Sequence, residues 1–420
     1  MRILMLSWEF PPRVVGGLAQ HVYDLSAALA ALGEEVHVLT CSAPGSPLYE
    51  LVNGVHVHRF HTYSVSSPHF VTWVAQFNIA MLEKAISLLN ELERVHIIHA
   101  HDWLVAYAAR ALKHALRLPL VATIHATEYG RNNGLHNDTQ RHISDIEWWL
   151  TYEAWKIICC SHYMKNEVRH VFSLPEDKIE VIYNGVNPTR FAVHTVRVSR
   201  EHFAAPSEQI VFYVGRLVRE KGVQLLLEAA PQILARHPQA KFVIAGKGPF
   251  AEELQRLAAA LGIAPKVYFT GYVDDETRNN LYSWADVAVF PSLYEPFGIV
   301  ALEAMAARVP VVVADTGGLS EIVEHGVDGL KFYPGNSRSL ADMVVWLLKD
   351  RQLAHSLRQR AYKKVQEKFS WRDIALETRK LYRQVWEEYR RTPWSCGLPA
   401  RPGGGIWGRF SKMLVKGGVQ

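Results

Sequence analysis

Residues 287–303 read VAVFPSLYEPFGIVALE, and their order decides the fold. The run 287–290 is apolar on both faces, the pattern of a strand buried in a parallel sheet. Pro296 and Gly298 then punctuate the chain, and 298–307 reads as a helix. A strand whose carboxyl end turns into a helix is the unit of an open α/β sheet, and such sheets bind ligands at that edge. The amides of Gly298 and Ile299 lack intrahelical partners and carry the positive end of the helix dipole, so they form a seat for an anion. Glu295 stands just before the helix and Glu303 five residues into it, about 7.5 Å along the axis. Two carboxylates therefore flank the seat. Carboxylates on both sides of a phosphate site make sense if each accepts hydroxyl hydrogen bonds from a sugar, which is what a nucleotide sugar offers.

The same grammar recurs upstream. Strand 209–214 ends in Gly215 and Arg216, and Lys221 and Gly222 follow where a helix begins. Two cations at the carboxyl end of a strand would neutralise a diphosphate and stabilise it as a leaving group. Strands at 241–245, 267–270 and 310–314 complete this series. Ahead of it, short runs at 2–7, 35–40, 95–99, 120–125, 156–160 and 180–183 alternate with helical segments such as 18–32, which Gly33 stops. Between Pro188 and Pro206 the pattern lapses. The reading is α/β, with two doubly wound domains facing a cleft, 1–195 and 206–368. Helices at 339–349, 352–368 and 371–391 end the ordered pattern, the segment 369–391 is expected to cross back to the first domain, and 392–420 is a basic tail. A hinge near 187–205 and near the last long helix would let the cleft close.

Composition agrees with two domains. The 420 residues exceed the size of one ordinary core. Hydrophobic residues at 49% and charged residues at 21% exclude a disordered chain. The net charge of +5 arises beyond residue 389, where Arg390, Arg391, Arg401, Arg409, Lys412 and Lys416 stand without any acid; taking those six from +5 leaves −1. No bulk attraction to nucleic acid follows. Cys159 and Cys160 are neighbours, so with Cys41 and Cys396 they make no disulfide framework. The apolar run 3–6 is too short for a secretory leader, and no stretch approaches the ~20 apolar residues of a membrane helix. A cytoplasmic setting is expected. The tail combines Trp394, Trp407 and Gly403 to Gly405 with its basic residues, the composition of a frayed terminus or of a segment that touches a membrane or a glucan.

The first domain carries two further signals at its strand ends. Gly16, Gly17 and Leu18 follow the turn Phe10-Pro11-Pro12 and open a helix, where paired glycines allow backbone to approach a phosphate. His99, His101 and Asp102 in one segment, and His125 with Thr127 to Arg131 in another, are placed at the same cleft edge. A histidine there can act as general acid, base or hydroxyl ligand. His99 and His101 lack the accompanying cysteine or carboxylate cluster of a metal site, so no metal is expected.

Together these residues resemble the retaining family 4 glycosyltransferases of the two-Rossmann (GT-B) architecture, and within them the glycogen and starch synthase branch, over residues 1–390. The carriers are Glu295 and Glu303 with seven residues between them after a strand, Arg216 and Lys221, the run Trp8-Glu9-Phe10-Pro11-Pro12, His101-Asp102-Trp103, and His125 with Thr127-Glu128-Tyr129-Gly130-Arg131. The resemblance implies that Arg216 and Lys221 hold the donor diphosphate, that Glu295 contacts the transferred sugar and Glu303 the ribose, and that Asp102 and His125 contact the glucosyl unit. It implies ADP-glucose or UDP-glucose as donor, no cofactor, an α-glucan acceptor, and leaves room for a homo-oligomer. One departure stands out. Bacterial glycogen synthases typically carry a lysine two residues before the glycine pair, where this chain has Val14, with Arg13 one place off. A transferase for a small or lipid acceptor and a non-catalytic sugar-nucleotide sensor would carry these motifs, and a sugar-nucleotide epimerase shares the architecture; a pyridoxal-dependent phosphorylase lacks its lysine motif here.

Overall fold

The first strand shows why the sheets form. In β1 (Arg2–Leu6) the side chains Ile3, Leu4, Met5 and Leu6 are all fully buried, so both faces are covered by other elements. The computed structural model describes residues 1–67, 69–92, 94–191 and 198–395. The readings placed on 396–420, with Cys396 and Trp407, lie outside the described residues.

The first sheet also holds β2 (Glu35–Cys41), β3 (Tyr49–Val52), β4 (Val55–Phe60), β5 (Ile97–His101), β6 (Leu120–Ile124), β7 (Lys156–Cys159) and β8 (Ile179–Val181), in the order β3-β4-β2-β1-β5-β6-β7-β8. The second holds β9 (Gln209–Val214), β10 (Ala240–Ala245), β11 (Val267–Gly271), β12 (Ala285–Phe290), β13 (Val311–Ala314) and β14 (Leu330–Phe332), in the order β11-β10-β9-β12-β13-β14. Every pairing is parallel except β3 with β4. The order reverses between β1 and β5 in one sheet and between β9 and β12 in the other. At such switch points adjacent loops diverge and leave a crevice, so the loops after these four strands are the ones placed to bind a ligand. The fold is two doubly wound Rossmann-like domains.

The β3–β4 hairpin is absent from the sequence reading. Its turn is Asn53-Gly54, both with positive φ (50° and 79°), the two-residue geometry that matches strand twist. The signal was hidden because β4 carries histidines and Arg59 where a core strand carries aliphatics. Arg59 is 1% exposed; its guanidinium pairs with Glu50 at 2.5 Å and donates to the carbonyls of Pro11 and Pro47 at 2.8 and 3.2 Å. A buried cation paired in this way costs far less than a bare one, although its Nε is left without a partner.

The chain passes from the first domain to the second after β8 and returns at Phe369, whose carbonyl accepts the Val186 amide at 3.0 Å. The helix Trp371–Arg390 then lies on the first domain. Its buried Ile374, Ala375, Leu381 and Val385 pack into one apolar cluster with Leu18, Val22, Leu25 and Leu29 of the helix Gly17–Ala31. Two tyrosine hydroxyls pin it: Tyr382 meets His99 Nδ1 at 2.6 Å, and Tyr389 donates to the Arg117 carbonyl at 2.6 Å. Among the described residues no helix is long and apolar enough to cross a membrane.

Removing the Tyr382 hydroxyl leaves His99 Nδ1 without that partner in a dry site. Tyr382→Phe is expected to lower stability by about 1–3 kcal/mol, read as a drop in the urea midpoint at constant slope. An unchanged midpoint would show that the helix docks without that bond.

Candidate active site

The second domain supplies the floor. Gly222 caps the helix Val223–Arg236 with φ 71°, and a Cβ on it would stand 1.8 Å from the Pro291 carbonyl. Only glycine lets the loop after β9 rest directly on the loop after β12. The Leu293 and Tyr294 amides then bond the Glu220 carbonyl at 2.8 and 3.2 Å, locking the loops together. The result is an ion pair between Lys221 Nζ and Glu295 Oε2 at 2.7 Å, with the Ser292 hydroxyl donating to the same oxygen at 3.0 Å. Glu295 is 6% exposed, and its own carbonyl accepts the Gly318 amide at 2.9 Å. A Cβ on Gly317 would lie 2.0 Å from that carbonyl. The pair Gly317-Gly318 was missed in the sequence, although two glycines after the strand at 310–314 are the same signal that marked Gly16 and Gly17.

Gly215 continues the sheet edge, its amide bonding the Ala245 carbonyl at 3.0 Å. Arg216 follows; it is half exposed and pairs with Glu220 at 3.5 Å. Gly298 caps the helix Ile299–Ala306, so Ile299 is its first residue and Glu303 its fifth. Glu303 lies on the far flank. It accepts the Tyr282 hydroxyl at 3.2 Å; burial pushes its carboxyl up and Arg278 pulls it back. A cavity of about 270 Å³ opens beside it, lined by Tyr23, Asp24, Arg190, Arg278, Ile299 and Glu303. The structure thus joins Lys221 to Glu295, sets Arg216 on the neighbouring Glu220, and puts Glu303 at the other end of the same helix start.

The first domain supplies the facing wall. Gly17 begins its helix against Ile299: a Cβ there would be 3.1 Å from Ile299 Cδ1. The amides of Val15 and Gly16 are taken by Glu9 Oε2, at 2.5 and 3.3 Å. The Gly16 amide, offered by the sequence as a phosphate donor, is bonded to a carboxylate of the chain itself. Glu9 is buried, and burial raises its pKa to about 7 against those amides.

Asp102 sits after β5 with φ 59°, an uncommon conformation for a residue with a side chain, and its Oδ1 accepts the His125 amide at 2.7 Å. Burial pushes Asp102 up to about 6, opposed by Arg131. Burial, then Arg131, pushes His125 down to about 3, so its ring is neutral. His125 Nε2 lies 3.3 Å from His101 Nδ1. His99 does not belong to the cleft edge where the sequence placed it. It sits within β5, fully buried, bonded to Thr123 and Tyr382, because a strand register two residues deeper points it into the sheet's own core. His21 was not singled out; its ring lies 4.7 Å from that of His125, and nitrogens of His21, His101 and His125 come within 4.8 Å of one another.

The walls touch across the cleft. Tyr294 donates to Glu167 at 2.8 Å, and Thr127, on the same domain as Glu167, donates to it at 2.6 Å. Ser161 donates to the Pro296 carbonyl at 2.6 Å, and Glu321 accepts the amides of His162 and Tyr163 at 3.0 and 2.7 Å.

Known proteins share this fold. A model described as glycosyl transferases group 1 matches residues 196–364, and one described as glycosyltransferase family 4 matches 15–190. An uncharacterised glycosyltransferase of Methanocaldococcus jannaschii is 43% identical over 392 residues, covering 92% of this chain and 99% of the relative. Glycogen synthase of Mycobacterium tuberculosis is 36% identical over 400 residues, covering 91% and 94%. The structure of sucrose-phosphate synthase from Thermosynechococcus elongatus superposes with a TM-score of 0.79 at 27% identity, covering 92% and 99%. The fold and cleft are those of a two-Rossmann glycosyltransferase. The chain belongs to glycosyltransferase family 4.

The buried carboxyls make stability depend on pH. Burial holds Asp102 near 6 and Glu9 near 7, and raises Glu147 to about 8 against the Glu128 amide and Arg131. Each value lies above that of an unfolded carboxyl, so the folded chain keeps protons that the unfolded chain has released. The contribution of these three carboxyls is therefore greatest at the acid end and falls as pH rises from about 4 to about 8, while the buried neutral histidines His21, His99, His101 and His125 act in the opposite sense below about 6.5. Glu147→Gln should make that fall shallower, measured as urea midpoints across the range; an identical slope in the variant would contradict the assignment.

Proposed function

We propose that this glycosyltransferase moves a glucosyl unit, with retention of anomeric configuration, from ADP-glucose or UDP-glucose to an α-glucan. The observation that carries the reading is the Lys221–Glu295 pair at the opening of the helix Ile299–Ala306, which sets a cation and a hydroxyl acceptor beside an anion seat. The donor lies along the cleft with its diphosphate against Arg216, Lys221 and the amides of Gly298 and Ile299, its ribose at Glu303, and its sugar between Glu295, Asp102 and His125. The neutral His125 ring serves as a hydrogen-bonding ligand to a sugar hydroxyl. Transfer is a front-face displacement through an oxocarbenium-like state: the acceptor oxygen bonds to the anomeric carbon, the bond to the diphosphate breaks, and the leaving phosphate takes the acceptor proton. No separate cofactor enters this scheme. The glycogen synthase relative supports glucan as acceptor, and the assignment goes with a cytoplasmic setting.

A second reading is a small acceptor such as a sugar or sugar phosphate, favoured by one observation. Arg13 does not substitute for the lysine that Val14 replaces: its guanidinium lies over the Trp8 ring at 5.5 Å, while Val14 is 57% exposed. Incubation with ADP-glucose, UDP-glucose and GDP-mannose, against glycogen, glucose 1-phosphate and simple sugars, separates the two by product. A protein that binds donor in calorimetry yet yields no product with any acceptor would be a sensor instead. Arg216→Ala and Lys221→Ala should each lower turnover by about 10²-fold or more. Near wild-type turnover in Arg216→Ala would overturn the donor placement.

A further inference from the structure

Three histidines converge on the first-domain side of the cleft from separate elements: His21 from the helix Gly17–Ala31, His101 from the end of β5 and His125 from just after β6. One nitrogen of each lies within 4.8 Å of the other two, and among the described residues no other trio of His, Cys, Asp or Glu does so.

Their hydrogen bonds leave nitrogen unpartnered. His21 Nδ1 is 2.7 Å from Asn184 Oδ1. A carboxamide oxygen only accepts, so the proton sits on Nδ1 and Nε2 presents a bare lone pair. That is the arrangement by which an outer hydrogen bond orients a metal-binding imidazole. The Nε2 atom of His21 is buried and without a hydrogen-bond partner, a costly state for a polar atom. The 3.3 Å between His101 Nδ1 and His125 Nε2 also suits two imidazole nitrogens on one tetrahedral zinc, whose bonds of about 2.0–2.1 Å put ligands about 3.3–3.4 Å apart. Desolvation keeps all three rings neutral, the form that binds metal. His21 and His101 are buried, whereas His125 is only half buried and gives access.

We propose that His21, His101 and His125 form a site for one divalent transition ion of the zinc type, held by three imidazoles with a water completing the shell. Small side-chain rotations bring the three nitrogens onto one ion. The ion engages the ring that the proposed function gives to the sugar, so occupancy and sugar binding at His125 exclude each other; this consequence rests on that functional reading, and the binding itself does not.

The full chain, dialysed against a chelator, is titrated with zinc chloride in calorimetry and with cobalt chloride by visible absorption. One equivalent per chain, with the intense ligand-field bands of four- or five-coordinate cobalt, is expected. His21→Gln and His101→Gln should each weaken zinc binding at least tenfold, while thermal melts without metal verify that the variants fold. Absence of stoichiometric binding to the wild-type chain overturns the site, as does unchanged affinity in both folded variants, which would place the ion elsewhere, for instance on the histidines of β2 and β4. Inhibition of transfer by zinc, reversed by chelator, is the separate functional readout. Its failure beside intact binding would overturn the exclusion and leave the metal site standing.

Discussion

Two loops of the second domain meet without side chains between them, and the floor of the cleft depends on that contact. Parallel strands β9 and β12 are neighbours, so the segments leaving their carboxyl ends must pass close together. At Gly222 the backbone approaches the Pro291 carbonyl more closely than any Cβ allows, and at Gly317 it does the same to the Glu295 carbonyl. Glu295 is thereby fixed from two sides, and its carboxylate, nearly removed from water, is met by Lys221. Such a pair contributes little net stability against its desolvation cost, yet removing either partner leaves an uncompensated buried charge. Its value lies in holding one geometry where a helix presents its opening amides.

The first domain is held to that floor by contacts that place charge on polar termini. Glu321 accepts two amides at the start of the helix His162–Phe172, which sits on the other domain, an arrangement favoured by the helix dipole. Ser161 holds the Pro296 carbonyl, one residue from Glu295. Asp24 and Arg190 form a further pair at 2.5 Å beside the cavity at Glu303, where burial raises the Asp24 carboxyl and Arg190 lowers it. Hinge motion that opens the cleft has to break the bonds that Glu321, Ser161 and Tyr294 make across it. The state described here is one in which the domains touch.

Behind the cleft the first domain is dry and carries more acid than base. Glu9, Asp102 and Glu147 are buried beside neutral histidines, with Arg131 among them. In low dielectric the ionised form of each carboxyl is disfavoured, which raises their pKa values and lowers those of the histidines together. The same dryness leaves the His21 and His101 nitrogens without partners. One environment thus accounts for the perturbed carboxyls, the neutral imidazoles and the unpaired lone pairs.

Much of this was legible in the chain, because it is local. Apolar runs such as 2–7 and 209–214 announce strands, glycines and prolines announce turns, and residues that follow a strand within a few positions must stand at its carboxyl end, which is why Arg216, Lys221, Glu295 and Glu303 could be named. The hairpin of β3 and β4 escaped because its histidines and Arg59 break the apolar period, although Asn53-Gly54 is a turn signal. Glu9 was visible only as part of a motif, without its bond to the loop amides, and His21, Glu167 and Glu321 carried no signal of their own. Their partners are Gly16, Asn184, Tyr294 and Tyr163, and all but the first lie more than 120 positions away, between 127 and 163. Periodicity and turn chemistry are short-ranged, so they determined the strands, the two domains and the residues at their edges. Which charges are paired, which carboxyls are kept from ionising and which histidines meet was decided by burial in the tertiary structure, since desolvation depends on everything packed around a group and not on its neighbours in the chain.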